Sequence, residues 1–218
     1  LNQVVKDWEG ASTRVALVFP DLYDIGVPNL GLAILYDLLN KRDDVLAERA
    51  YCPWTDMETA MRAAGIPLYS LESKHALADF DIIGYTLPYE TLYTNLLNSL
   101  DLAGLPLFSV ERGSAHPLVI AGGHAAFNPE PVAPFVDAFV IGEGEEVMGE
   151  IVDAHQAWKH SGGERAALLR RLAQIDGVYV PALYDVRYNP DGTVASVEPL
   201  CAEAPVVITK RLVGVLPP

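Results

Sequence analysis

Apolar positions along the chain fall into two textures. Short runs stand at 14–19 (RVALVF), 45–50 (VLAERA), 81–86 (DIIGYT), 117–121 (PLVIA) and 137–141 (DAFVI). Mostly apolar runs of this length, bounded by Gly and Pro, read as strands buried on both faces. Between them the apolar residues are spaced for helices. Behind Asn29, a helix N-cap, Leu30, Ile34, Leu35, Leu38 and Leu39 recur on one face. Pro53-Trp54 opens a short helix over 55–64 that Gly65 stops, and residues 66–71 form a brief extended piece. Pro88 suits the first turn of a helix carrying Leu92, Leu96, Leu97 and Leu100, with Gly104 at its C-terminal cap. A last helix runs from the 142–146 loop to about Lys159. Strands alternating with helices predict right-handed crossovers and a parallel sheet. The expected fold class is α/β, a three-layer flavodoxin-like or Rossmann-like domain over residues 1–160, with 1–13 as a lead-in.

The texture changes at Ser161-Gly162-Gly163, a hinge. A short helix is predicted over 164–175, then strands at 178–181, 184–188 and 193–197. Asn189-Pro190-Asp191-Gly192 is the hairpin turn between the last two. Residues 206–213 read as one more extended run. Residues 161–218 are therefore expected to form a small α+β appendage, a connector to further polypeptide. The chain begins at Leu1 and ends on Val215-Leu216-Pro217-Pro218, and it is expected to be a fragment of a longer protein.

Half of the 218 residues are hydrophobic, ample for a core. The net charge of −14 argues against nucleic acid and against an anionic membrane surface, both of which need basic residues. No apolar run approaches the length of a membrane span. Cys52 and Cys201 are far apart and in no metal-ligand spacing, which suits a reduced, cytoplasmic protein.

In an open α/β sheet, ligands bind at the carboxyl ends of the strands. Four predicted loops lie there: 21–26, 85–87, 122–124 and 142–146. Gly26, Gly122, Gly123, Gly142 and Gly144 would let the backbone turn tightly or approach a flat ligand. The first loop carries Asp21 and Asp24, and the last carries Glu143, Glu145 and Glu146. These acids oppose a phosphate at a helix N-terminus, and neither a G-x-G-x-x-G after the first strand nor a Walker sequence is present. A large ligand with little negative charge is favoured over FMN, NAD or ATP. Tyr85, Tyr89, Tyr93, Trp54 and Phe127 form an aromatic set near the same edge, able to wall a ligand or to meet another domain.

Asp21-Leu22-Tyr23-Asp24-Ile25-Gly26 resembles the D-x-H-x-x-G loop of cobalamin-binding domains, with Tyr23 in the histidine's place. Tyr85-Thr86-Leu87 stands where those domains have S-x-L, and Gly122-Gly123 where they have G-G. The motif order agrees, with an extra helix and extended piece between the first two. Over residues 4–150 the chain is similar to the N-terminal domain of B12-binding radical SAM proteins, in stretches such as IAGGHAAFNPEP and DAFVIGEGEE. The resemblance implies cobalamin as cofactor, held by Asp21, Tyr23, Gly26, Tyr85, Thr86, Leu87, Gly122, Gly123, His124, Gly142 and Glu143. Lacking the family's histidine, it implies cobalamin bound base-off with no histidine ligand and Tyr23 near cobalt. His124 is the one nearby alternative nitrogen. The resemblance also implies a downstream radical SAM barrel, and it is there that a 4Fe–4S cluster and S-adenosylmethionine are expected. This chain has no C-x-x-x-C-x-x-C and no catalytic residue is assigned to it. Two other readings stay open: a cofactor-free docking or substrate-presenting module of the same polypeptide, and a flavodoxin-like flavin carrier.

Overall fold

The first apolar run forms β1 (Thr13–Phe19), buried along nearly its whole length. It pairs in parallel with β2 (Val45–Tyr51) on one side and β3 (Ile82–Thr86) on the other. Then β4 (Leu118–Gly122) and β5 (Ala138–Val140) continue the parallel sheet, and β6 (Val178–Tyr179) closes it antiparallel. This computed structural model describes residues 3–214, so the expected chain end at Val215-Leu216-Pro217-Pro218 lies outside the described residues. The strand order is β2-β1-β3-β4-β5-β6. It reverses between β1 and β3, the arrangement of a flavodoxin-like sheet, whose ligand crevice opens beside that switch point. The fold is the expected three-layer α/β domain with a small C-terminal extension.

After β1, a single turn, α1 (Tyr23–Gly26), leads into α2 (Leu30–Asn40). The Asn29 side chain accepts from the Leu32 amide at 2.8 Å, the predicted N-cap. Next, α3 (Thr55–Ala64) ends at Gly65, whose φ of +66° is the left-handed cap that glycine adopts most readily. It faces α4 (Tyr93–Leu102) through Arg62, which donates to Asp101 at 2.7 Å and Asn98 at 2.9 Å. On the other face of the sheet, α2 packs against α5 (Val147–Ser161). Then α6 (Arg165–Leu172) packs on α5, and β7 (Tyr184–Tyr188) with β8 (Val194–Pro199) makes a separate hairpin. The boundary expected after His160 is thus crossed by α6 packing and by β6, which extends the main sheet.

One local expectation needs correction and two are made specific. The helix after β3 starts at Tyr93, not at Pro88. Leu87 is extended, as a residue before proline prefers: its N–H donates to Gly122 O at 2.7 Å and its carbonyl accepts from Ala125 N at 2.9 Å. The chain can only turn helical beyond that clamp. Residues 66–71, the expected brief extended piece, carry one isolated bridge, between Tyr69 and Ala76. Residues 206–213 likewise contribute one bridge, Arg211 to Gly142.

One core group ties stability to pH. His155 on α5 is 4 % exposed and its Nδ1 has no partner. Burial pushes its pKa below the ordinary histidine value. Its folded pKa is therefore the lower one, so the neutral ring's contribution is complete above about pH 6.5 and is lost as pH falls through the folded value. We expect urea midpoints to fall between pH 7.5 and 5, by up to about 1.4 kcal/mol per unit of displacement. His155→Phe should flatten that slope; an unchanged slope would refute the assignment.

Candidate ligand site at the carboxyl edge

A cavity of about 210 Å³ opens at the carboxyl edge, between the sheet and the starts of α2 and α5. Strand residues alternate between faces. Gly84, Thr86, Ile120 and Gly122 line the floor from β3 and β4, with Leu17 and Val140 beside them. Gly84 and Gly122 present no side chain, so the floor is mainly backbone and aliphatic carbon. Leu35 on α2 and Met148 on α5 form the roof, and Gly142, Glu143, Gly144 and Glu145 form one wall.

The predicted site residues divide. Thr86, Gly122, Gly123, Gly142, Glu143 and the Tyr85 backbone are brought together at this cavity. The Tyr85 ring faces the opposite way: it is 2 % exposed and shares a 2.7 Å hydrogen bond with Ser99 on α4. Leu87 is fully buried in the core. His124 is exposed, tilted against Phe127 with ring centroids 6.0 Å apart, and does not line the cavity.

The first loop stands apart. Asp21 accepts from the adjacent Leu22 amide at 2.7 Å, a local turn. Tyr23 packs edge-on against Tyr51 at 5.3 Å and borders a separate apolar hollow with Met57, Met61 and Leu68. Gly26 is required by packing: a Cβ there would lie 2.7 Å from the Tyr51 ring and 2.9 Å from that of Phe19. Cys52 borders the same hollow, and burial pushes its thiol up to about 12, so it is no thiolate ligand at neutral pH.

Sequence reasoning missed Gly84 and Gly31, both at the cavity. An isolated glycine inside a strand pattern is itself a sign of close approach, and Gly84 in DIIGYT carried that sign. It also missed Arg211. The segment after β8 returns to this edge, where Arg211 N donates to Ile141 O at 2.9 Å and Glu143 N donates to Arg211 O at 3.1 Å. The Arg211 guanidinium donates to Glu146 at 2.9 Å and Glu150 at 2.6 Å, so part of the acidic loop is neutralised internally.

Chemically, the cavity suits a flat, weakly charged group. The α2 N-terminus borders it at Gly31, yet Asn29 already takes one first-turn donor, and Glu143 and Glu145 oppose a phosphate. Among the described residues, no group of three His, Cys, Asp or Glu side chains is placed to hold a metal ion, and no helix is long and apolar enough to cross a membrane.

Fold and cavity together define an α/β domain with a ligand crevice at a flavodoxin-like switch point. A family model described as radical SAM proteins, N-terminal, matches residues 31–181, more than half of the chain, and the chain belongs to that family. It is an accessory domain of a radical SAM protein, whose 4Fe–4S cluster and S-adenosylmethionine belong to the catalytic domain. A search of curated proteins returned no match.

Proposed function

We propose that this domain binds cobalamin for a radical SAM protein, base-off and without a histidine ligand to cobalt. The cavity carries the reading. Its volume of about 210 Å³ is below the ~300–1,000 Å³ of sites that enclose a whole drug-sized ligand, so it suits a flat ring and not a complete cofactor. In a base-off cofactor the displaced base is such a ring, and it needs an apolar shelter. Gly84 and Gly122 leave room for it, and Thr86 and Glu143 supply polar groups at the cavity. Bound cobalamin would supply cobalt-centred alkyl-transfer or electron-transfer chemistry; this chain's residues hold and orient it. Residues 1–160 supply the residues that line the cavity, and 161–218, which packs on them through β6, α6 and Arg211, is the side facing the radical SAM domain. Titration with hydroxocobalamin, followed by absorbance, tests the reading. An unchanged spectrum at high micromolar cofactor overturns it.

Tyr23 supports the base-off form without a nitrogen donor, being 37 % exposed at the same sheet edge. Tyr23→His should shift the absorbance of bound cobalamin and tighten binding about tenfold, or 1.4 kcal/mol. Spectra identical to wild type would mean that this side chain never reaches cobalt.

A second reading, a docking module without cofactor, draws on exposed apolar side chains of the carboxyl-edge loops. Trp54 is 62 % exposed and Phe127 50 %, with Ile25 and Tyr89 exposed as well. Tyr93 is excluded from that set, because its hydroxyl donates to the Ala125 and Asn128 carbonyls at 3.0 Å each. A protein that includes the radical SAM domain yet binds no corrin would favour docking alone.

A further inference from the structure

The returning segment is built into the cavity wall. Arg211 threads between two glycines: a Cβ on Gly142 would stand 2.2 Å from Arg211 O, and one on Gly177 would stand 2.9 Å from Arg211 Cβ. Both glycines hold positive φ, +115° and +85°. Glu143, a wall residue, is held from both sides. Its amide donates to Arg211 O, and its carboxylate accepts from the Val213 amide. The wall from Gly142 to Glu145 includes two glycines, a segment that without fixed partners would sample many conformations.

We propose that residues 209–213 are a strap that sets the cavity wall, with Arg211 as its positioning residue, so that strap docking and cavity order form one coupled unit. A docked strap orders the wall before a ligand arrives and removes that cost from binding. Linkage is reciprocal, so a ligand that contacts the wall favours the docked strap by the same factor. The strap belongs to the 161–218 segment, so occupancy of the cavity biases how that segment docks on this edge of the sheet. Only the ligand arm of the test below rests on the cobalamin reading.

Hydrogen exchange on the chain without ligand tests the unit directly. Arg211→Glu places a carboxylate against Glu146 and Glu150. The Glu143 amide should then exchange at least about tenfold faster, within the range of typical couplings, while Ile83 and Val119 in the sheet stay protected. Gly177→Val presses on Arg211 from outside the cavity and should give the same pattern. Adding Glu146→Arg to Arg211→Glu should restore protection. If Glu143 exchanges as in wild type in both single variants, the strap does not set the wall and the proposal fails, whatever the cavity binds. With hydroxocobalamin added to wild type, the Glu143 and Arg211 amides should gain protection together. Protection at Glu143 without Arg211 overturns the coupling, whereas no binding at all overturns the cobalamin reading and leaves the ligand-free result to decide the strap.

Discussion

Replacing Asp137 by Asn will cost about 3–5 kcal/mol of folding stability, the penalty for leaving buried charge unpaired. Asp137 enters β5 with 2 % exposure and sits between two buried guanidinium groups, Arg112 at 3.3 Å and Arg165 at 2.7 Å. Its carboxylate also accepts from the Val119 amide at 2.7 Å, fixing β4 to β5. The two arginines satisfy six backbone carbonyls: Arg112 donates to Pro106, Leu107 and Phe135, and Arg165 to Gly113, His116 and Pro117 at 2.8–3.1 Å for the latter three. Gly113 and Pro117 lie on the connection into β4 and Phe135 on the connection into β5, so one carboxylate anchors the amino edge of the sheet. One negative charge already faces two positive ones, and burial lowers the Arg112 pKa despite its partner. Removing the carboxylate charge leaves both cations without compensation. Urea denaturation measures the loss. An exposed pair offers the contrast: Asp185→Asn, facing Arg187 on the hairpin, should leave the midpoint unchanged. A loss below about 1 kcal/mol for Asp137→Asn would show that water or rearrangement replaces the anchor. The cavity lies at the opposite edge of the sheet, so a variant that stays folded should bind ligand as wild type does.

That anchor was not legible in the sequence, and the reason is physical. Arg112 precedes β4, Asp137 precedes β5 and Arg165 opens α6, and only the closed sheet brings them together. What is local was legible. The Asn29 cap, the Gly65 stop and the buried runs at β1, β3 and β4 follow from propensity, capping and periodicity within one window. Pro88 was misleading because tertiary hydrogen bonds hold Leu87 extended, which a helix-start rule cannot weigh. The site was legible as an edge but not as a face. Motif order places three loops at the carboxyl ends of their strands; it does not say which side of the sheet each one lines. The loop after β1 contributes no side chain to the cavity, because Gly26 is packed under Tyr51 and Phe19 and the chain enters α2 beyond it. Residues 206–213 read as an extended run, and their part at this edge is a single bridge closing on the 142–146 loop, a long-range contact no local pattern announces.

The adjacent glycines Gly122 and Gly123 should separate fold from ligand most sharply. Both occupy the G-G motif, yet they are glycine for different reasons. Gly123 has φ +101°, and a Cβ there would lie 2.7 Å from Leu87 O and 2.9 Å from its carbonyl carbon, both backbone atoms that are themselves clamped. Gly123→Ala should therefore lose about 1–3 kcal/mol of stability through strain and displacement of the β3–β4 connection. Gly122 has no positive φ, and its Cβ would meet only Val140, the side chain at 3.6 Å and the carbonyl oxygen at 3.8 Å, both ordinary contacts. A larger side chain at 122 points into the cavity, because residue 122 lies on the same strand face as Ile120. Gly122→Leu should fold with a midpoint close to wild type and weaken the proposed cobalamin binding a hundredfold or more, about 2.7 kcal/mol. Urea midpoints and hydroxocobalamin titration on the same two samples decide. Undiminished binding by Gly122→Leu would remove the cavity from the ligand site, while wild-type stability in Gly123→Ala would mean that the Leu87 clamp can yield. If both hold, the pair divides cleanly: the second glycine lets the chain pass from β4 under the Leu87 backbone, and the first keeps open the space this passage leaves beside the sheet.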